Sequence, residues 1–199
     1  HSYSSAASDV YKRQSINGAA GGVLIGNTAT ADGGTNQVVI GNLAKALAGS
    51  TIVIGDNAQA ASGAGGAISI GSKTSATAAD ALVLVKGSAS GVGSIAIGAD
   101  TNSSSNAAIA IGSTSEASSN QAIALGANTS ASGNQSIAFG FNSKASGSCS
   151  VSFGPESFTN ASGAVAIGAC SRSTGVNAIA IVSNNSATCG NSFVLGAGA

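Results

Sequence analysis

Methionine and tryptophan are absent, proline and histidine occur once each, and charged residues make up 7% of the 199-residue chain. Each gap excludes something. The one histidine is His1, so no Ser-His-Asp or Cys-His arrangement can be assembled and a histidine metal site has no ligand. A formal net charge of zero and an aromatic content of 4% leave neither a basic footprint nor a stacking platform, which argues against nucleic acid as a partner. Apolar runs are short, as in Leu82 to Val85, far below the roughly 20 residues of a membrane-spanning helix. Membrane insertion by this segment is not expected. Low charge does not mean disorder here, because a hydrophobic fraction of 43% at zero net charge is the opposite of the disordered signature.

Nucleotide and calcium motifs are missing too. Gly66-Ala67-Ile68-Ser69-Ile70-Gly71 is followed by no Gly-Lys-Ser or Gly-Lys-Thr, which a phosphate loop requires. Asp32-Gly33-Gly34 stands alone and is not part of a Gly-Gly-x-Gly-x-Asp calcium repeat. The expectation is a non-enzymatic protein with no cofactor and no metal.

What is present is a repeat. An element of apolar, small, apolar and Gly begins at Val23-Leu24-Ile25-Gly26 and recurs to Phe193-Val194-Leu195-Gly196. Its last residue is a register mark, at Gly26, Gly41, Gly55, Gly71, Val85, Gly98, Gly112, Gly126, Gly140, Gly154, Gly168, Val182 and Gly196. The spacings are 15, 14, 16, 14 and 13, then seven of 14. A fixed period of this length is the mark of a solenoid. Residues 1–14, His1 to Gln14, share nothing with it and read as non-native, adapter-derived sequence without fixed structure. The repeat fold is expected over 15–199.

Positions three and one before each mark carry Ile, Leu, Val or Phe throughout, as in Ile95 and Ile97 or Ile137 and Phe139. Residues two apart on a strand share a face, and this face is read as the interior, with Phe139 and Phe153 in the core. The position between them holds Ala96, Ala110, Ala124, Ala138, Ala166 and Ala180, and the next one back (Ser94, Ala108, Ala122, Ser136) is also small. A strand with no polar face is buried on both sides, so these alanines are expected to face partner copies of the chain, the interface that the resemblance given below makes that of a trimer.

After the mark comes a second strand, with small residues three and five positions on (Thr129 and Ala131) and wet ones two and four on (Asn128 and Ser130, Asn142 and Lys144). Outside the first 14 residues the eleven charges, from Asp32 to Arg172, all avoid the columns read as interior, as the cost of burying an unpaired charge demands. The result is an all-β parallel β-roll of about thirteen 14-residue rungs stacked roughly 4.8 Å apart, a rod about 60 Å long. Its flat small-residue face would be too large a patch for a monomer. The irregular spacings should be absorbed in bends near Asp32 to Asn36, Ser62 to Gly66 and Gly87 to Gly93, with strand register intact.

Asn120-Gln121-Ala122-Ile123-Ala124-Leu125-Gly126, Asn134-Gln135-Ser136-Ile137-Ala138-Phe139-Gly140 and the Ala131-Ser132-Gly133 between them resemble the YadA-like head repeats of trimeric autotransporter adhesins. The resemblance covers residues 21–199 and is strongest over 94–181. It implies a left-handed roll, three chains about a common axis, and display at the bacterial outer membrane and cell surface. The partners it implies are two further copies of the chain and a host matrix protein or surface polymer. Val85 and Val182 depart from the Gly mark.

Phe141 and Phe158 fall on outward positions one rung apart. With Asn142 and Lys144 they either form a ligand-contact patch or fold over the bends to cover the core. Cys149, Cys170 and Cys189 share no column and are read as free thiols, an intermolecular disulfide being the alternative. Two other functions fit a roll of this kind: a phage or viral fibre, and an ice-binding solenoid, although the flat face here is Ala and Val while Thr is irregular.

Overall fold

The computed structural model describes residues 15–17, as backbone only, and 21–196. Residues 1–14, set apart above, lie outside the described residues. The chain divides into two units, His1–Gly93 and Ser94–Ala199. Each is a parallel β-roll, and no helix occurs among the described residues.

Every rung contributes a first strand ending just before the mark and a second strand after it. In the N-terminal unit the first strands run from Val23–Ile25 to Leu82–Leu84, and the second strands from Ser15–Asn17 to Gly87–Ala89. In the C-terminal unit they run from Ile95–Ile97 to Phe193–Leu195 and from Thr101–Ser103 to Ser186–Ala187. First strands pair only with first strands, always in parallel, as Ile123↔Ile137, Ala124↔Ala138 and Leu125↔Phe139. Second strands do the same, as Ser130↔Lys144 and Ala131↔Ala145. Within each unit the marks therefore form one column.

The faces of the first strand are the reverse of the expectation. Ala96, Ala110, Ala124, Ala138, Ala166 and Ala180 are 0% exposed within a single chain. They fill the roll itself, so they cannot be the surface that meets a partner. The interior comprises four small-residue columns, illustrated by the cluster of Ala122, Ala124, Ala131, Ala138 and Ala145 with Thr129. The large side chains on either side of each central alanine point outward: Ile137 is 36% exposed, Phe139 42% and Phe153 47%. Phe139 and Phe153 are thus surface residues. The reason is volume. Two strands folded back on one another leave a slot that Ala, Ser and Thr fill, and Ile or Phe would overpack it. Charge avoidance could not have separated the two faces, since no charge occupies any of the four positions before a mark.

The second strand is as expected, with Thr129, Ala131, Ser143 and Ala145 buried and Asn128 and Lys144 exposed. In most rungs the interior hydroxyl three after the mark bonds back to the carbonyl of the mark, as Thr129 Oγ1 to Gly126 at 2.8 Å and Ser171 Oγ to Gly168 at 2.9 Å, Ser143 being an exception. This satisfies a polar atom inside the roll and closes the turn at the same time.

Apart from the shortened first turn after Val85, each rung turns twice through the same geometry. The residue two after the mark has φ near that of Asn142, 56°, and the residue five before it near that of Gln135, 56°. Four-residue hydrogen bonds close both turns, Ser143 N to Gly140 O at 3.3 Å and Ser136 N to Gly133 O at 3.1 Å. A positive φ at the third residue is the type II pattern. At the mark, Gly takes φ between 121° and 144°. A Cβ on Gly112 would meet the Gly126 carbonyl oxygen at 2.3 Å. Val85 and Val182 stand in this column by moving to φ 80° and 85°.

Inserted residues leave the ladders undisturbed, with Val23↔Val38 across the 15-residue spacing and Ile52↔Ile68 across the 16-residue one. The longer bend beyond Asp32 is plugged from inside by Gln37, whose Nε2 donates to the carbonyls of Ala48 at 2.8 Å, Asp32 at 3.0 Å and Ala46 at 3.4 Å. The 13-residue spacing tightens elsewhere than expected. Leu84 pairs with Ile70 and Ala89 with Ala76, which places the missing residue in the first turn, between Val85 and Gly87, and leaves the Gly87 to Gly93 stretch at its usual length.

Candidate ligand-binding groove and exposed apolar face

A solenoid converts sequence period into columns of side chains, so its sites are built across rungs. On the sheet of second strands, the column four after the mark reads Ser130, Lys144, Phe158, Arg172 and Ser186 in unbroken register. The turn column two after the mark runs beside it with Asn128, Asn142, Glu156 and Cys170. Between the two lies a depression of about 350 Å³ lined by Asn142, Lys144, Glu156, Ser157, Phe158 and Arg172. The same two columns in the N-terminal unit enclose a second depression of about 250 Å³, lined by Thr28, Thr30, Leu43, Lys45, Asn57 and Gln59.

The guanidinium carbon of Arg172 sits 4.6 Å from the centroid of the Phe158 ring. A cation–π contact of this kind holds the guanidinium over the ring. Asn142 accepts a bond from Asn128 Nδ2 at 3.1 Å, and Glu156 Oε2 accepts from Cys170 Sγ at 3.8 Å. Both bonds run along the turn column from one rung to the next.

Of the candidate ligand-contact residues, the structure brings Asn142, Lys144 and Phe158 into one depression. Phe141 is 59% exposed but is not in its lining. Phe158 is half-buried beneath Arg172 and does not fold over the core. Arg172 and Glu156 complete the site and were not singled out from the sequence. The available signal was the column, since Arg172 lies two whole rungs after Lys144.

The first strands present a different surface. Ile137, Phe139, Val151, Phe153 and Ile167 lie in adjacent rungs in exact one-for-one register, and the two phenyl rings stack at 4.6 Å with planes 6° from parallel. This apolar face is on the sheet opposite the groove. Cys149, Cys170 and Cys189 are free and exposed, with Cys149 Sγ 3.6 Å from Gln135 Oε1. Among the described residues, no group of three or more His, Cys, Asp or Glu could hold a metal ion, and no helix is long and apolar enough to cross a membrane.

Parallel ladders, a small-residue interior and two type II turns per rung define a β-roll repeat protein. The YadA head domain repeat matches residues 89–115, 103–129, 117–143, 131–157 and 145–171, two copies at a time. Over residues 89–171 the chain is thus similar to the YadA head domain of the trimeric autotransporter adhesins. No curated protein sequence matches the chain.

Proposed function

We propose that the chain is the head of a bacterial surface adhesin, a non-enzymatic rod that binds host or environmental surfaces, such as a matrix protein or a surface polymer. The observation that carries this reading is the run of head repeats over 89–171 on a roll whose sequence pattern continues on both sides. Assembly as a homotrimer is part of this proposal, and the apolar face supports it. Columns of Ile, Leu, Val and Phe partly in water along successive rungs make a continuous apolar patch of the kind that marks an interaction surface, and three copies packed about an axis would bury them. The interface in this proposal is the Ile137, Phe139, Val151 and Phe153 surface, in place of the buried alanines. The groove, on the opposite sheet, would remain open to a ligand.

The test is attachment. Beads coated with the full chain are flowed over immobilised matrix proteins and polysaccharide films, beside beads coated with albumin. Retention under flow that the albumin beads do not show is the expected result. Indifference to every surface tried would overturn the adhesin reading.

A further inference from the structure

From Ser94 to Ala199 the chain has two cationic side chains, Lys144 and Arg172. Both line the same depression, one rung to either side of Phe158. This places the unit's whole positive charge at one spot, beside Glu156, while the other two acidic residues of the unit, Asp100 and Glu116, lie outside the depression. We propose that the depression binds a short segment of an anionic polysaccharide, with acidic groups of the polymer on Lys144 and Arg172 and hydroxyls on Asn142 and Glu156. The proposal rests on the adhesin reading and names the ligand class of its surface.

Four features favour such a ligand. Arg172 lies over the Phe158 ring with its guanidinium carbon 4.6 Å from the centroid, so the side chain is restrained before a carboxylate or sulfate arrives, and less side-chain freedom is lost on binding. Lys144 and Arg172 are two rungs apart, roughly 9.6 Å at the usual strand spacing, which suits a polymer with repeated acidic groups better than a single small anion. The volume of about 350 Å³ is at the low end for ligand clefts and fits a few sugar rings. The remaining polar groups are an amide and a carboxylate, which together donate and accept as sugar hydroxyls require. A peptide would need backbone partners, and the backbone groups of these strands are committed to the ladders, as Lys144 N to Ser157 O and Phe158 N to Ser171 O, both at 2.9 Å.

The experiment measures binding of the full chain to a heparin oligosaccharide, a hyaluronate oligosaccharide, a neutral dextran fragment and poly-glutamate. Both acidic glycans should bind and dextran should not, with affinity falling as salt is raised. Arg172→Ala and Lys144→Ala should each weaken binding by about tenfold or more, the loss expected for a charge-assisted contact. Arg172→Lys should restore only part of it, because an ammonium lacks the planar fork. Lys73→Ala, which removes a charge from the other unit, should change nothing. Melting temperatures of all variants should match the parent, since these side chains are on the surface.

Glycan binding that is absent, or equal in the parent and both alanine variants, overturns the proposal. Poly-glutamate bound as tightly, with the same sensitivity to the variants, overturns it in favour of an acidic-peptide surface. Bead attachment separates this from the adhesin reading. If parent and Lys144→Ala/Arg172→Ala beads adhere equally, the ligand surface is elsewhere and the adhesin stands. If parent beads adhere to nothing, the adhesin reading itself fails whatever the oligosaccharides show.

Discussion

Phe139 and Phe153 stack face to face across adjacent rungs, with centroids 4.6 Å apart, on the outside of the roll. Such a pair gains about 0.5–1.5 kcal/mol beyond its area, yet nearly half of each ring stays in water. The proposed trimer removes that exposure. Phe153→Asp should bring three carboxylates toward one axis and cost several kcal/mol of assembly. Sedimentation equilibrium should show a shift from trimer to monomer, with the β-sheet circular dichroism of the roll retained. Ser130→Lys, on the opposite sheet, should alter neither. A trimer that persists in Phe153→Asp would place the contact on another face.

Ala124 gives the complementary case. It is fully buried inside one chain, so Ala124→Lys should destabilise the roll itself by several kcal/mol. Its melting temperature should fall by the same amount at every protein concentration. A loss that vanished on dilution to monomer would return the alanine column to the interface.

The period, the pairing register and the parallel ladders are legible in the sequence because the mark, Gly in all but two rungs, repeats too regularly to be missed. The orientation of the first strand is not. Burial usually follows side-chain size, but this slot admits only small residues, and Ile137 and Ala138 were therefore assigned to the wrong faces. Lys144 and Phe158 could be placed outward by parity alone. Arg172 and Glu156 could not be joined to them by reading along one rung, since the depression is assembled by stacking.

The mark column makes two opposite stability predictions. Val182 holds φ 85° with 40% exposure, so Val182→Gly removes backbone strain of the order of 1–3 kcal/mol against the loss of only a partly buried side chain. Its melting temperature should rise. Gly112→Ala drives a Cβ to 2.3 Å from the Gly126 carbonyl oxygen and should cost at least as much as Val182→Gly gains. Thermal melts of both variants beside the parent decide this, and a neutral Gly112→Ala would show that the rungs can spread.

Gln37→Ala removes the plug from the 15-residue rung. The carbonyls of Asp32 and Ala48 lose their shared donor, which costs about 1–3 kcal/mol for buried groups left unsatisfied. Amide hydrogen exchange should quicken in the bend from Asp32 to Asn36 while the strands Val38–Ile40 and Ile52–Ile54 keep their protection. Uniform loss of protection across the unit would mean that the plug supports more than its own bend.

Hydrogen bonds that join rung to rung point along the stacking direction, and each rung is held by its immediate neighbours alone. A tether anchored at one end and pulled at the other would load these bonds in series, so the weakest junction yields first and the remainder keep their structure. Extension under tension should then proceed in many small steps, each releasing one coil of chain and dissipating work as it goes. In the adhesin proposed above, such rungs would act as a brake between the cell and the surface it holds.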